Sequence, residues 1–158
     1  MAGGTGVRFW PVSRAAKPKQ FLDVVGTGKT FIQNTYERFL KVVPKENILI
    51  VTGERYRDIV MEQLPELESR NLLLEPYARN TAPCIAYATY TLLKRDPEAR
   101  MVVTPSDHMI ENEELFVETI CNAFESIEEK DVLMTLGVLP TRPDTNYGYV
   151  QAYGGSDV

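Results

Sequence analysis

The chain has 158 residues and a formal net charge of −5, with 44% hydrophobic and 25% charged residues. This composition is typical of a globular domain, and its acidic balance argues against a nucleic-acid partner. No apolar run reaches the length of a membrane span, and the first residues lack the apolar core of a signal peptide. We therefore expect a cytoplasmic protein that interacts with neither nucleic acid nor membrane.

The first residues combine glycines with positive charge. Gly3, Gly4 and Gly6 are followed by Arg8, and Lys19 lies in a Pro-Lys turn. Glycine backbone can approach a ligand closely, so that its amides can surround phosphate oxygens. A glycine loop with two nearby cations suits a triphosphate. The alternative is a flexible, glycine-rich terminus that happens to carry an arginine, and a short glycine pattern is a weak signal by itself.

Two familiar phosphate motifs do not match. A dinucleotide fingerprint would need a glycine where the chain has Phe9. The residues 28–30 look like the end of a P-loop, but the opening glycine of that motif would fall on Asp23. We interpret 26–28 as a turn, and a P-loop kinase is excluded.

Apolar runs and helical periodicities alternate along the chain. Predicted strands cover 21–25, 47–52, 72–74, 101–103 and 132–138, and another begins near Tyr149. Predicted helices cover about 31–43, 55–64, 81–93 and 116–127, with Thr30 and Asn80 or Thr81 at two of the starts.

This alternation predicts an α/β fold: a Rossmann-like, open and mostly parallel sheet with helices on both faces. Ligands bind at the carboxyl ends of the strands in such sheets, which makes the glycine loop, Glu75, Asp107 and residues 146–148 the candidates. The loop needs a strand leading into it, and the last strand has only begun when the chain stops. We therefore expect one incomplete domain: residues 1–158 would be the N-terminal, nucleotide-binding part of a larger one.

The cysteines and the histidine carry no metal motif. Cys84 and Cys121 lie in helical patterns without metal-type spacing and are interpreted as reduced, buried thiols. His108 has no second histidine or cysteine nearby.

Several stretches together resemble the N-terminal part of the mannose-1-phosphate guanylyltransferases (GDP-mannose pyrophosphorylases), within the sugar nucleotidyltransferase family. The resemblance covers nearly the whole chain, and its motifs occur in order with matching spacing. They are Gly3-Gly4-Thr5-Gly6-Val7-Arg8, Pro18-Lys19-Gln20-Phe21, Glu75-Pro76, Arg79-Asn80-Thr81-Ala82-Pro83, Thr104-Pro105-Ser106-Asp107-His108, Pro140-Thr141-Arg142-Pro143 and Tyr147-Gly148-Tyr149.

The resemblance implies that GTP and mannose 1-phosphate are the substrates and that GDP-mannose and pyrophosphate are the products, with Mg²⁺ as cofactor. It implies catalytic roles for Arg8 and Lys19 at the phosphates, and a metal-binding role for Asp107. It places the sugar near Tyr147 and Gly148. The residues that it places at the nucleotide are Ala2, Gly3, Gly4, Thr5, Gly6, Asn80, Thr81 and Ala82.

Each of these residues also has a plain structural interpretation. Arg8 and Lys19 could be solvated cations, Asp107 and Asn80 helix caps, and Gly148 a turn glycine. Glu75 is our own candidate for reading the base, since a carboxylate accepts both N–H donors of a guanine edge; a surface carboxylate is the alternative.

Two other functions stay open. One is a sugar-1-phosphate nucleotidyltransferase with another base or sugar. The other is a non-catalytic, nucleotide-sensing regulatory relative, against which the set of Arg8, Lys19 and Asp107 argues. A homo-oligomer is compatible with the sequence, and we expect the 158 residues alone to be inactive.

Overall fold

The computed structural model describes residues 1–4, 9–77, 79–128, 130–145 and 147–151. In chain order its main elements are α1 (Phe31–Phe39), β1 (Ile50–Gly53), α2 (Arg57–Gln63), β2 (Leu72–Glu75), α3 (Thr81–Arg95) and α4 (Glu113–Ser126). Short 3-10 turns occupy Lys19–Phe21, Lys45–Asn47, Glu54–Tyr56 and Ser69–Asn71. In the described ranges, no helix combines the length and apolar character that crossing a membrane requires.

The two strands form a parallel pair. Ile50 lies opposite Leu72 and Gly53 opposite Glu75, so that the carboxyl ends of β1 and β2 lie side by side. The helix α2 provides the crossover between them, as parallel strands require. Both strands were predicted, although β1 begins later than the expected residue 47 because the 3-10 turn at Lys45–Asn47 precedes it.

Met1 and Ala2 lie along the edge of β1 that does not pair with β2. The Ala2 amide donates to the Val51 carbonyl at 2.8 Å. The Met1 nitrogen donates to the Thr104 carbonyl at 2.9 Å, and the Ser106 amide donates to the Met1 carbonyl at 3.1 Å. Met1 and Ala2 therefore lie between β1 and residues 104–106, and the glycine loop begins in the middle of this layer.

Helices cover both faces of the strand pair. Ile50 packs with α1, α2 and α4 through residues such as Ile32, Val60 and Ile120. The next residue, Val51, points to the opposite face and packs with Leu73 and with Cys84 and Ala88 of α3. This alternation follows from the period of two along a strand. It confirms the predicted fold class.

The helix α1 is fixed at both ends. At its start the Thr30 amide donates to Gln33 Oε1 at 2.9 Å, one half of a capping box. Near its end Arg38 Nε contacts Glu113 Oε1 at 3.1 Å, and Lys41 Nζ contacts Glu113 Oε2 at 2.9 Å. The hydrogen bond from Lys41, with the charge of Arg38, lowers the pKa of Glu113 despite partial desolvation. These contacts join α1 to the first turn of α4.

The predicted strand at 21–25 is wrong. Phe21 ends a 3-10 turn, and the Asp23 carboxylate accepts hydrogen bonds from the amides of Gly26, Thr27 and Gly28 at 2.7–3.1 Å. Gly26 and Gly28 have φ of 77° and 81°, which glycine adopts without strain. Within the predicted strand, the Phe21 carbonyl accepts from Gln63 Nε2 and the Leu22 carbonyl accepts from the Phe31 amide, both at 3.2 Å, so non-strand partners take this backbone. The predicted turn at 26–28 is confirmed.

Three further predicted strands do not form ladders in the described residues. Residues 101–103 have no strand partner among the described residues, and both 101–104 and 48–51 line a cavity of about 810 Å³. Residues 132–138 are exposed, with Leu133 and Val138 almost fully so. Residues 149–151 are also irregular. An apolar segment needs a partner strand to pair with, and these segments lack one here.

The cysteines are free thiols, as predicted, but only one is buried. Cys84 on α3 is buried in the core, whereas Cys121 on α4 is half-buried. In α4, Ile120 is buried in the core, whereas the next residue, Cys121, is only half-buried.

Candidate functional site

Lys19 and Asp107 lie together although 88 positions separate them. The Lys19 ammonium donates to the Asp107 backbone carbonyl at 2.9 Å and lies 3.9 Å from Asp107 Oδ2. Both side chains are partly exposed, so a ligand can reach them. The structure therefore joins the predicted phosphate-binding cation to the predicted metal-binding carboxylate.

The same ammonium is flanked by two aromatic rings. It lies 4.8 Å from the ring centroid of Phe31 and 5.2 Å from that of Phe9. Phe31 is the first residue of α1, and Phe9 follows the glycine loop. A cation within about 6 Å of a ring centroid is attracted by the negative face of the ring. The Lys19 ammonium thus contacts three separate parts of the chain, at Phe9, Phe31 and Asp107.

Gln20 attaches the start of the glycine loop to this group. Its Nε2 donates to the carbonyls of Ala2 and Gly4, both at 2.9 Å, and the side chain is buried. The Thr52 hydroxyl donates to the same Ala2 carbonyl at 2.8 Å. Gln20 was missed as a site residue because its partners are backbone carbonyls; its position directly after Lys19 was the available signal.

Glu75 lies beside the glycine loop. It ends β2, and a Cβ added to Gly3 would lie 3.4 Å from Glu75 Oε2. Burial raises the pKa of the Cys84 thiol in the first turn of α3, and the charge of Glu75 raises it further. Glu75 therefore occupies the edge shared by β2, α3 and the loop.

The first residues of α3 are exposed, and the residue before the helix has a strained backbone conformation. Asn80 has φ 67° and ψ −164°, a region that residues other than glycine adopt at a cost of about 1–3 kcal/mol. Its side chain does not cap the helix, so the first amides of α3 are not satisfied by Asn80. Thr81 and Ala82 are exposed at this end. The three predicted residues thus form a helix start that can accept an anion or a polar ligand edge.

The predicted sugar residues are placed differently. Tyr147 and Gly148 are exposed, and the Tyr147 amide donates to the Asp144 carbonyl at 3.4 Å. A Cβ added to Gly148 would meet no described atom within 4 Å. This hydrogen bond is local, so it does not tie the two residues to the Lys19 and Asp107 pair.

The remaining predicted residues lie outside the described ranges. They are Thr5, Gly6 and Arg8 of the loop, and Asn146 beside the predicted sugar residues. Their roles stay predictions.

Asp107 is the described carboxylate that fits a metal ion at this edge. Its side chain is partly exposed, so a cation from solvent can reach the carboxylate. In the described part of the chain, no cluster of three or more His, Cys, Asp or Glu residues forms a complete metal cage. A single carboxylate completed by substrate phosphates and water is the kind of site that Mg²⁺ uses.

Comparison with known proteins supports one family. The sequence pattern of the nucleotidyl transferase family matches residues 1–158. A mannose-1-phosphate guanylyltransferase 2 of Escherichia coli O157:H7 is 41% identical over 155 residues, which are 96% of this chain and 32% of that protein. A mannose-1-phosphate guanylyltransferase of Salmonella montevideo is 42% identical over 153 residues, which are 96% of this chain and 31% of that protein. The chain thus spans about a third of the length of these relatives.

A solved structure supports the fold. The crystal structure titled mannose-1-phosphate geranyltransferase, from Thermus thermophilus, has a TM-score of 0.73 and 34% identity. The match covers 82% of this chain and 37% of that one. Since the family pattern spans every residue and the fold agrees, the chain belongs to the nucleotidyl transferase family.

Proposed function

We propose that this chain supplies the nucleotide-binding and phosphate-binding side of an enzyme that transfers a guanylyl group from GTP to mannose 1-phosphate, giving GDP-mannose and pyrophosphate. The observation that carries the proposal is the convergence of Gly3, Glu75, Lys19 and Asp107 at the carboxyl edge of the strands. The relatives named mannose-1-phosphate guanylyltransferase support the choice of base and sugar.

The reaction needs alignment and charge neutralisation rather than a covalent intermediate. A phosphate oxygen of mannose 1-phosphate attacks the α-phosphorus of GTP. A bond forms between that oxygen and the α-phosphorus, and the bond from the α-phosphorus to the bridging oxygen of the β-phosphate breaks. Pyrophosphate leaves with the electron pair. The enzyme must hold the two anions in line and offset their charge.

Lys19 is suited to this task by its position. Its ammonium lies at the strand edge beside the start of the glycine loop, to which its neighbour Gln20 is bonded. A fixed cation near the α-phosphate favours the charge that develops during transfer, because little reorganisation is needed. We assign Arg8 to the leaving pyrophosphate, the role that the family resemblance implies for it.

Asp107 would hold Mg²⁺ together with oxygens of the triphosphate. When bound, the ion would offset phosphate charge and orient the triphosphate. Lys19 contributes a second positive charge at the same place, so a Mg²⁺ ion held by Asp107 and the Lys19 ammonium would together offset the charge of the triphosphate.

The nucleoside side is assigned to the loop, β2 and α3. The amides of Ala2, Gly3, Gly4, Thr5 and Gly6 would face the nucleotide, and Asn80, Thr81 and Ala82 would contact it from the start of α3. Glu75 would accept hydrogen bonds from the pairing edge of guanine. Tyr147 and Gly148 would contact mannose.

The test uses the protein expressed from the complete reading frame that encodes this chain. It is incubated with GTP, Mg²⁺ and mannose 1-phosphate, and pyrophosphate release and GDP-mannose formation are measured. We expect one pyrophosphate for each GDP-mannose. Binding of GTP without turnover would instead support the nucleotide-sensing alternative.

A panel of substrates separates the remaining alternative. ATP, UTP, CTP and dTTP are each offered with mannose 1-phosphate, and glucose 1-phosphate is offered with GTP. A higher catalytic efficiency with any of these pairs would overturn the base or sugar assignment while preserving the transfer reaction. A cytoplasmic location is part of the proposal, and fractionation of the source cells tests it.

A further inference from the structure

We propose that Phe31 is a positioning residue for Lys19, holding the ammonium at the phosphate-binding edge before substrate arrives. The proposal deepens the proposed function and rests on it for the kinetic consequence. Its structural part concerns the unliganded protein and can be tested without turnover.

The Phe31 ring lies next to the Lys19 ammonium. The ammonium lies 4.8 Å from the Phe31 centroid, and it donates to the Asp107 carbonyl at 2.9 Å. Phe9 lies 5.2 Å from the ammonium on the exposed side of the group. Phe31 is 6% exposed, so the packing around its ring limits the movement of the ring.

The position of Phe31 is itself fixed by α1. Its amide donates to the Leu22 carbonyl at 3.2 Å, and the Thr30–Gln33 hydrogen bond closes the preceding turn. The ring therefore projects from the first residue of a helix packed in the core. A lysine side chain has several rotatable bonds, and confining it before binding removes part of the entropy that ordering would otherwise cost.

The helix α1 offers a matched control. Phe39 is also 6% exposed and also lies at an end of α1, but its ring contacts Phe116 at 6.1 Å between centroids. Replacing either phenylalanine with leucine removes a buried ring from the same helix. Only Phe31→Leu removes a ring that faces Lys19.

The kinetic test compares the two variants in the protein from the complete reading frame. We expect Phe31→Leu to lower kcat by about 5-fold, the effect of losing one partly buried cation–ring contact. Phe31→Tyr should restore kcat, since it keeps the aromatic face, and Phe39→Leu should leave kcat near that of the wild type. In a Lys19→Ala background, Phe31→Leu should cause no further loss of GTP affinity.

The spectroscopic test does not depend on the reaction. Lysines are labelled by reductive ¹³C-methylation, which keeps their charge, and the Lys19 signal is assigned by its absence in Lys19→Arg. We expect this signal to be shifted upfield by ring currents in the wild type, Phe31→Tyr and Phe39→Leu. In Phe31→Leu, most of the shift should be lost.

The outcomes separate this inference from the proposed function. An unchanged Lys19 signal in Phe31→Leu overturns the positioning role, whatever the enzyme does. Equal losses of kcat in Phe31→Leu and Phe39→Leu, or a loss of GTP affinity that persists without Lys19, also overturn it. If the wild type turns over no sugar phosphate but the shift behaves as expected, the proposed function fails and the positioning stands. If Phe31→Leu does not fold, Phe31→Met is used in the same comparison.

Discussion

The two sides of the candidate site are held in different ways. Lys19, Glu75 and Asp107 are placed by contacts between distant parts of the chain, since Met1 and Ala2 join β1 to residues 104–106. Tyr147 is placed by a hydrogen bond to Asp144, three residues away. The first arrangement depends on the packed core, and its contacts are already made without a ligand. The second gains little from the core in the described part of the chain.

This difference indicates which functional groups the chain preorganises. Electrostatic groups contribute most when the protein holds them in place in advance. The phosphate-binding side meets that condition, and the predicted sugar side does not. Substitutions on the first side should therefore change catalysis strongly, and those on the second should change it weakly.

The largest effect is expected for Lys19→Ala. Loss of a preorganised charge at the reacting phosphates should lower turnover by about 10²–10³-fold. Lys17→Ala is the matched control, because Lys17 is exposed and its backbone, not its ammonium, bonds to Arg14. Thermal melting checks that both variants are folded. Turnover of Lys19→Ala within a few-fold of wild type would remove Lys19 from the mechanism.

The second largest effect is expected for Asp107→Asn. The amide keeps the shape of the side chain but loses the charge that favours a hard cation. A Mg²⁺ titration of activity should shift to higher concentration and reach a lower plateau. Asp58→Asn, an exposed aspartate on α2, serves as control and should leave the curve unchanged. If Asp107→Asn also leaves it unchanged, Asp107 has a structural role only.

Glu75→Gln tests the nucleoside edge. The neutral amide has one acceptor and one donor group, so it matches guanine less well than the carboxylate does. We expect the ratio of catalytic efficiencies for GTP and ATP to fall by about 10-fold. Glu66→Gln, at an exposed position, should keep the ratio. An unaltered ratio in Glu75→Gln would mean that another group reads the base.

The smallest effects are expected at Tyr147 and Gly148. Both residues are exposed, and an added methyl group at Gly148 meets open space. Tyr147→Ala and Gly148→Ala should change the free energy of unfolding by no more than about 0.5 kcal/mol. GTP affinity should stay unchanged, and the KM for mannose 1-phosphate is the quantity expected to rise. A loss of GTP affinity in either variant would contradict the division of the site.

Some elements and site residues could be predicted from the sequence alone, because their patterns report local geometry. The stripe of Ile32, Tyr36 and Phe39 predicted α1, and the apolar run before Gly53 predicted β1, because each pattern reports local geometry and burial. The rule that ligands bind at the carboxyl ends of parallel strands selected Glu75 and Asp107. Glu75 ends the observed β2, whereas Asp107 follows a predicted strand at 101–103 that does not form in the described residues.

Other features depend on contacts that the sequence does not display. The apolar run at 132–138 resembles a strand, yet strand formation needs a partner and these residues are exposed. The predicted strand at 21–25 is absent because Gln63 Nε2 and the Phe31 amide, rather than a neighbouring strand, bond to the Phe21 and Leu22 carbonyls. Gln20 bonds to carbonyls that any residue carries, so no pattern of side chains identifies it.

The most direct test of the account is hydrogen–deuterium exchange of the protein from the complete reading frame, with and without GTP and Mg²⁺. The account predicts slower exchange in peptides that cover residues 1–20, 75–84 and 104–109. Peptides from 141–151 should keep their rates until mannose 1-phosphate or GDP-mannose is added. Protection by GTP confined to 141–151, with none at residues 1–20 or 104–109, would contradict the placement of the nucleotide at the carboxyl edge of the strands.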